Sequence, residues 1–448
     1  MQTNSTIQIS VDRKFEGRPT GVKISLPPSK SLMLRYLVYA GLAEGRSVVK
    51  LCDPVLSEDI EDMIEVLRSL GVVVEIDNSS IVILGSGGRL SELDACKIQV
   101  RLSGVSARFA VALAALRRGE TLIDGYFSLR RRPIGEVAEA VRQLGVVVDG
   151  ESLPLVVKSP GKDLLETGSI RVSGEISSQF ITVMLGIGPC LPNGLQLDVG
   201  EVVVSRPYLE MSLAAMKSFG AAVEFDGAQR YKVAGLGYTA QEILCESDLS
   251  AASYFMALAT ALGVSLALPG VLEGSCQGDV VFAEICERLG AVICWTDDGL
   301  LISGPTEGRM NSIAGWLDFS NMPDVAPTFA ALGPFIPGGV RIKGLGTLRV
   351  KECDRISALE QEISKIGIEV RSGEDWLEIG EYNSQSHERG IITVATYDDH
   401  RMAMSFAVLG ALLPNGIKIA DPKVVGKTFP TFWQEFSRAT GATICISG

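Results

Sequence analysis

The sequence predicts an α/β fold made of six repeats of one unit, gathered as two lobes of three. Three observations carry this expectation. An apolar residue, a glycine and a run rich in β-branched residues recur at Gly71, Gly145, Gly220, Gly290, Gly367 and, more weakly, Gly441, with a step of about 74 residues. A second series, in which glycine ends an apolar run and opens a strand, falls at Gly45, Gly119, Gly194, Gly263, Gly339 and Gly416 with nearly the same step. The composition, 448 residues with 46% hydrophobic and 21% charged, is that of a globular chain long enough for several cores.

Each unit reads as strand, helix, strand, helix and a hairpin. In the first, Ser57 stands before a helix whose apolar residues Ile60, Met63, Ile64, Leu67 and Leu70 keep helical spacing. Gly71 ends that helix, and 72–76 with 81–84 form the hairpin. Asp226-Gly227 and Asp298-Gly299 mark the same hairpin in later units. A more apolar helix precedes each strand-opening glycine: Ser29–Ala43, Ser106–Leu116, Ser178–Leu185, Ser250–Leu262, Asp324–Leu332 and His400–Leu413. The uncharged stretch Leu249–Leu272 reads as a buried helix and strand, because Gly263 and Pro269 interrupt it before it could span about 20 apolar residues. Three units lie between Pro27–Pro28 and Glu246–Ser247. The expected lobes are therefore 28–246, the inner one, and 1–27 with 247–448, the outer one, with the active site in a cleft between them.

Charge and cysteine usage narrow the function. A net charge of −12 argues against nucleic-acid and membrane partners, while a local basic cleft for small anions stays compatible with it. Nine cysteines without a C-x-x-C pair, and only two histidines, His387 and His400, give no zinc pattern, so no metal is expected. The polar stretch 1–18 has no apolar signal core, and with the odd cysteine count it points to the cytoplasm.

The apolar helices carry unusual chemistry at their N-terminal ends: Ser29-Lys30-Ser31 with Arg35, Gly104 with Ser106 and Arg108, Ser177-Ser178-Gln179, Pro323-Asp324, and Asp398-Asp399-His400-Arg401. Helix N-termini attract anions. Ser and Asp caps are ordinary there, but Lys, Arg, Gln and His beside them are not explained by capping. Loops add Arg130-Arg131-Arg132-Pro133, Ser205-Arg206-Pro207-Tyr208, Arg349-Val350-Lys351-Glu352-Cys353-Asp354-Arg355 and Lys427-Thr428-Phe429-Pro430. Arg130 and Arg131 read as a solvated surface run, and Glu352 with Arg355 as an i,i+3 pair.

These motifs, in order from Lys30 to Pro430 and with Ser275-Cys276-Gln277-Gly278-Asp279 among them, resemble 5-enolpyruvylshikimate-3-phosphate synthases over nearly the whole chain. The resemblance implies two lobes of three βαβαββ units, an inside-out α/β barrel. It implies transfer of the enolpyruvyl group of phosphoenolpyruvate to the 5-hydroxyl of shikimate 3-phosphate by addition and elimination, with release of phosphate and no cofactor. It implies a monomer in the shikimate pathway to aromatic amino acids. Lys30, Gly104, Arg132, Gln179, Arg355, Arg401 and Lys427 would bind phosphoenolpyruvate. Lys30, Ser31, Arg35, Ser177, Ser178, Gln179, Ser205, Tyr208, Asp324 and Lys351 would bind shikimate 3-phosphate. Asp324, Glu352 and Lys30 would move the protons. The chain departs from the family where Leu102 and Val105 replace the usual Asn and Thr around Gly104, and where Thr347 and Leu348 replace Asn and Trp. A UDP-N-acetylglucosamine enolpyruvyl transferase is the alternative within the fold, but its usual cysteine is absent from 125–133. A non-catalytic ring of repeats that encircles DNA is the alternative outside catalysis, and the net charge opposes it.

Overall fold

The computed structural model describes residues 5–10, 21–91, 95–165, 169–306, 308–383 and 390–447. Apart from 5–10, the polar stretch 1–18 lies outside the described residues. The chain divides into two compact units, Met1–Pro27 with Glu246–Gly448, and Pro28–Cys245.

Both glycine series have a conformational cause. Gly71, Gly145, Gly220, Gly290, Gly367 and Gly441 have φ between 66° and 98°, and Gly45, Gly119, Gly194, Gly263, Gly339 and Gly416 between 66° and 110°. Side chains rarely adopt this left-handed region, so glycine recurs wherever a helix must stop and turn into a strand.

Within Pro28–Cys245, two repeats are complete. One runs through Ala95–Val100, the helix Gly104–Leu116, Gly119–Gly125, the helix Gly135–Arg142 and the hairpin of Val147–Asp149 with Leu155–Ser159. Its first two strands are parallel, with Ile98 opposite Ile123, and the second hairpin strand lies antiparallel beside them, with Ile123 opposite Leu155. The repeat from Ser169–Arg171 to Arg230–Val233 has the same sheet order. The remaining repeat opens directly with a helix. Its first strand comes from the far end of the unit, where Glu242–Cys245 pairs in parallel with Ala43–Leu51.

The second unit also borrows strands. Val22–Lys23 pairs in parallel with Ser265–Pro269. Thr6–Ser10 sits between Ile417–Ala420 and Thr443–Ser447, antiparallel to both. Local periodicity announces neither exchange.

We number the six apolar helices α1 (Lys30–Leu42), α2 (Gly104–Leu116), α3 (Ser178–Ile187), α4 (Leu249–Leu262), α5 (Ala326–Leu332) and α6 (His400–Leu412). They are buried on every side: in α4 each residue from Leu249 to Thr260 is buried. A helix apolar all round belongs inside a core. In one unit α4, α5 and α6 pack on one another, and α6 also packs on the sheet strand Ile417–Ala420. By contrast, the helix Glu58–Ser69 buries Ile60, Met63, Ile64 and Leu67 and leaves Glu61 and Glu65 exposed. The stretch Leu249–Leu272 is the helix α4 and the strand Ser265–Pro269.

Two helix starts differ from the sequence reading by two residues, and one expected cap makes no side-chain bond. Helix α2 starts at Gly104 rather than Ser106, because Ser103 is its cap and accepts from the Ser106 amide at 3.4 Å. Helix α5 starts at Ala326 rather than Asp324, whose carboxylate is engaged by cations. Ser57 caps Glu58–Ser69 in position only: its hydroxyl makes no capping bond, and Glu58, Asp59 and Glu61 complement the helix dipole.

Candidate active site

In the unit Met1–Pro27 with Glu246–Gly448, the sequence brings six expected residues into one ion-pair network. Arg355, the first residue of the helix Arg355–Lys365, is 1% exposed. It donates to Asp399 at 2.7 Å, Glu352 at 3.0 Å and Asp324 at 3.2 Å. Arg401 donates to the other oxygen of Asp324 at 2.8 Å, and Lys351 lies 3.4 Å from Asp324. Lys427 donates to Glu352 at 2.5 Å. Burial alone would lower the Arg355 pKa, but Asp399, Glu352 and Asp324 outweigh it and hold the guanidinium above its usual range. The expected i,i+3 pair of Glu352 with Arg355 forms, and it is one edge of this larger cage.

Asp399 is the keystone that the sequence reading left without a role. It is fully buried, accepts from Arg355 and caps α6 through the Arg401 amide at 2.8 Å. One side chain thus fixes two cations, one through its guanidinium and one through its backbone. Cys353, beside Glu352, has its thiol pushed up by burial and then by the Asp399 charge, so it stays protonated and is a poor nucleophile.

Asp279, the last residue of the Ser275–Asp279 motif, is buried against α4. Its Oδ2 accepts from Ser250, and its Oδ1 has no hydrogen-bond partner. Burial, then the charge of Asp324, pushes the carboxyl up to about 7, against the Ser250 hydrogen bond and Arg401. The rest of the motif anchors the start of α4: Gln277 donates to the Ser247 carbonyl at 2.9 Å and accepts from the Leu249 amide at 3.1 Å.

In the unit Pro28–Cys245 the expected residues form smaller sets. Lys30 opens α1 and lies 3.6 Å from Asp59, a partner the sequence reading did not name. Arg35 is tethered through each nitrogen: to Ser212 Oγ at 2.8 Å, the Ser31 carbonyl at 2.6 Å and the Tyr208 carbonyl at 2.9 Å. Ser178 donates to the Ser205 carbonyl at 3.3 Å, and Ser177 accepts from the Gln179 amide at 3.3 Å. Ser205 has φ of 53°, a left-handed conformation that costs a serine about 1 kcal/mol or more and that clusters at functional positions.

Arg108 ties the third set together. It donates to the Gly104 carbonyl at 2.9 Å, the Gln179 side-chain oxygen at 2.8 Å and the Pro133 carbonyl at 2.5 Å. A β-carbon added at Gly104 would meet Arg132 Nη1 at 2.6 Å and Arg108 Nη1 at 2.7 Å, so both guanidinium groups reach this backbone. Leu102 and Val105 are half-buried in the same turn, where Ser103 and Ser106 supply the polar contacts. Arg130 pairs with Asp124 at 2.8 Å, and Arg131 lies over the Phe127 ring at 4.9 Å, which fits the surface reading of both.

The two groups of expected residues therefore lie in different units: Asp324, Lys351, Glu352, Arg355, Arg401 and Lys427 in one, and Lys30, Ser31, Arg35, Gly104, Arg132, Ser177, Ser178, Gln179, Ser205 and Tyr208 in the other. A surface cavity of about 490 Å³ beside Gly338, Arg341, Glu369, Arg371 and Glu378 shares no residue with either group. Its charges answer one another, Arg341 with Glu378 at 3.0 Å and Arg371 with Glu369 at 2.6 Å. Among the described residues no helix is long and apolar enough to cross a membrane.

Comparison with known proteins agrees along the whole length. The family model described as EPSP synthase (3-phosphoshikimate 1-carboxyvinyltransferase) matches residues 17–436. A 3-phosphoshikimate 1-carboxyvinyltransferase of Sulfurovum sp. (strain NBC37-1) is 34% identical over 438 residues, covering 96% of this chain and 98% of that protein. The enzyme of the same name from Escherichia coli (strain SMS-3-5 / SECEC) is 34% identical over 428 residues, covering 94% and 96%. In fold, the chain is similar to the EPSP synthase of Acinetobacter baumannii, with a TM-score of 0.79, 22% identity and full coverage of both chains. It is also similar to the enolpyruvyl transferase NikO of Streptomyces tendae, with a TM-score of 0.73, 14% identity and 99% coverage of both. With two glycine series keeping one step, a family model over residues 17–436 and relatives 34% identical over 94–96% of the chain, the chain belongs to the EPSP synthase (3-phosphoshikimate 1-carboxyvinyltransferase) family.

Proposed function

We propose that the chain transfers the enolpyruvyl group of phosphoenolpyruvate to the 5-hydroxyl of shikimate 3-phosphate, giving 5-enolpyruvylshikimate 3-phosphate and phosphate. The observation that carries this reading is the family match over residues 17–436, within which the ordered motifs from Lys30 to Pro430 fall.

The chemistry of the residues supports it. Both substrates carry a phosphate and a carboxylate, and both half-sets are rich in cations and short hydroxyls. Arg355 and Arg401 take the enolpyruvate carboxylate; Arg132, Lys427, Lys30 and the Gly104 amide take its phosphate. Ser177, Ser178 and Ser205 take the shikimate phosphate at the start of α3, Arg35 and Tyr208 its carboxylate, and Lys351 with Asp324 its hydroxyls. In the addition step the 5-hydroxyl loses its proton, its oxygen bonds to C2 of phosphoenolpyruvate, and C3 gains a proton. In the elimination step C3 loses a proton and the C2–O bond to phosphate breaks. Asp324, Glu352 and Lys30 carry this proton traffic. Asp324 and Glu352 already stand among cations that can balance a charge change on either carboxylate.

All these groups belong to one chain, so we propose a working monomer, to be checked by light scattering. Free thiols, among them the buried Cys190, Cys245 and Cys286, suit the reducing cytoplasm we propose as its location. The activity test is phosphate release with both substrates and with each omitted in turn. Release that needs both supports the reading. Turnover with UDP-N-acetylglucosamine as acceptor instead overturns it.

A further inference from the structure

We propose that Arg108 is a positioning residue that fixes the side-chain amide of Gln179, so that Gln179 offers N–H donors, and not its carbonyl oxygen, to the bound anion. This rests on the proposed reaction and assigns a function to a residue outside the binding sets.

The argument begins with donor inventory. A guanidinium has N–H groups and no acceptor, whereas an amide has an acceptor at one end and two donors at the other. The atom of Gln179 that lies 2.8 Å from Arg108 Nη1 must therefore be the oxygen. A flipped amide would set N–H against N–H. The orientation follows from the partner's chemistry and does not depend on telling nitrogen from oxygen.

Arg108 is itself hard to move. It is 3% exposed. Nη1 also donates to the Gly104 carbonyl one helical turn earlier, and Nη2 donates to the Pro133 carbonyl. Its guanidinium carbon lies 5.2 Å from the centre of the Phe180 ring. Ser177 holds the Gln179 amide nitrogen of the backbone, so the Gln179 side chain is pinned at its root and at its oxygen. Its NH₂ group, two donors on a half-buried residue, is what remains for a ligand. The same guanidinium steadies the carbonyl of Gly104 and the loop that carries Arg132. Three elements assigned to phosphoenolpyruvate thus share one internal brace.

Four variants test this, each with KM for both substrates, kcat and a thermal melt. Gln179→Met removes the donors and should raise KM for phosphoenolpyruvate about 10-fold or more. Gln179→Glu should still pair with Arg108 and fold, but it offers a carboxylate oxygen to an anion. Its KM should rise about 10-fold beyond that of Gln179→Met. Arg108→Met should raise KM for phosphoenolpyruvate by about 10-fold. Added guanidinium at millimolar concentration should recover part of the loss, and Arg108→Lys should fall between wild type and Arg108→Met. If Gln179→Glu is no worse than Gln179→Met, the amide faces the other way and the proposal falls. A KM for phosphoenolpyruvate near that of wild type in Arg108→Met, or a loss that guanidinium does not rescue, makes Arg108 a fold residue only and also overturns it. If Arg108→Met fails to fold, the Gln179 pair decides alone. The wild-type control separates the two claims: no phosphate release there sinks the reaction, whatever the variants do.

Discussion

The two half-sets hold their arginines in different ways, although Lys30 in the unit Pro28–Cys245 also faces a carboxylate, Asp59 at 3.6 Å. In the unit Met1–Pro27 with Glu246–Gly448, Arg355, Arg401, Lys351 and Lys427 are met by the carboxylates of Asp399, Glu352 and Asp324. In the unit Pro28–Cys245, the hydrogen bonds described for Arg35 and Arg108 end on carbonyl, hydroxyl and amide oxygens. A carboxylate cage neutralises a cation and can exchange protons with a ligand. Neutral oxygens orient a guanidinium and leave its charge intact for an incoming phosphate or carboxylate. The contrast separates a carboxylate cage in one unit from guanidinium groups oriented by neutral oxygens in the other.

Breaking the cage should give the largest effects. Glu352→Gln keeps the shape and removes the charge between Lys427 and Arg355. It should slow kcat by about 10²–10⁴-fold while shikimate 3-phosphate still binds in a calorimetric titration. A kcat near that of wild type would reduce Glu352 to an ion-pair member and weaken the contrast. Asp399→Ala leaves Arg355 buried without its 2.7 Å partner and should cost about 3–5 kcal/mol in denaturant unfolding. A loss below about 1 kcal/mol would mean that water replaces the carboxylate and the cage is looser than it looks.

Asp279 sharpens the comparison through pH. Its folded value, about 7, lies above its ordinary 3.8, so the fold prefers the protonated carboxyl. That preference is complete below about pH 4 and disappears as pH rises through about 7. Asp279→Asn is neutral at every pH. The wild type should therefore lose up to about 4 kcal/mol relative to Asp279→Asn between pH 4 and pH 8, read as diverging urea midpoints. Parallel curves would place an unbalanced charge at Asp279 with no energetic consequence, which its burial argues against.

The neutral-oxygen side should give the smallest changes. Ser212→Ala removes one acceptor of Arg35 and a hydroxyl shared with Thr182 at 2.9 Å, for about 1–2 kcal/mol of stability. Gly104→Ala pushes a methyl against Arg108 and Arg132 and should raise KM for phosphoenolpyruvate by about 10-fold, more than KM for shikimate 3-phosphate. Equal changes would make Gly104 a helix-start glycine only.

Much of this architecture was legible because it is written locally. Gly71 or Gly263 marks a left-handed turn that glycine alone adopts freely, and the apolar helices betray themselves by having no polar face. The borrowed strands were invisible. Val22–Lys23 is two residues long, and its pairing with Ser265–Pro269 joins segments more than 200 residues apart, beyond any periodicity. In the site, Lys30, Arg108 and Arg401 stood out in the sequence as charges beside caps, and Glu352 as a carboxylate in a loop of mixed charge. Asp59, Ser212 and the brace formed by Arg108 did not, because an ordinary Asp, Ser or Arg acquires such a role only from partners that the fold brings in.

The strand Thr6–Ser10, held between Ile417–Ala420 and Thr443–Ser447, has a consequence for synthesis. Residues 28–245 form the other compact unit, and all of them leave the ribosome before the sheet partners of Thr6–Ser10 exist. Thr6–Ser10 emerges earlier still, yet its partners are about 400 residues further on. At about 5–20 residues per second it waits roughly 20–80 s without its sheet partners. An exposed strand edge is what chaperones and neighbouring nascent chains bind. The charged, polar sequence that follows it, 11–18, is well suited to keeping that edge soluble until its sheet exists.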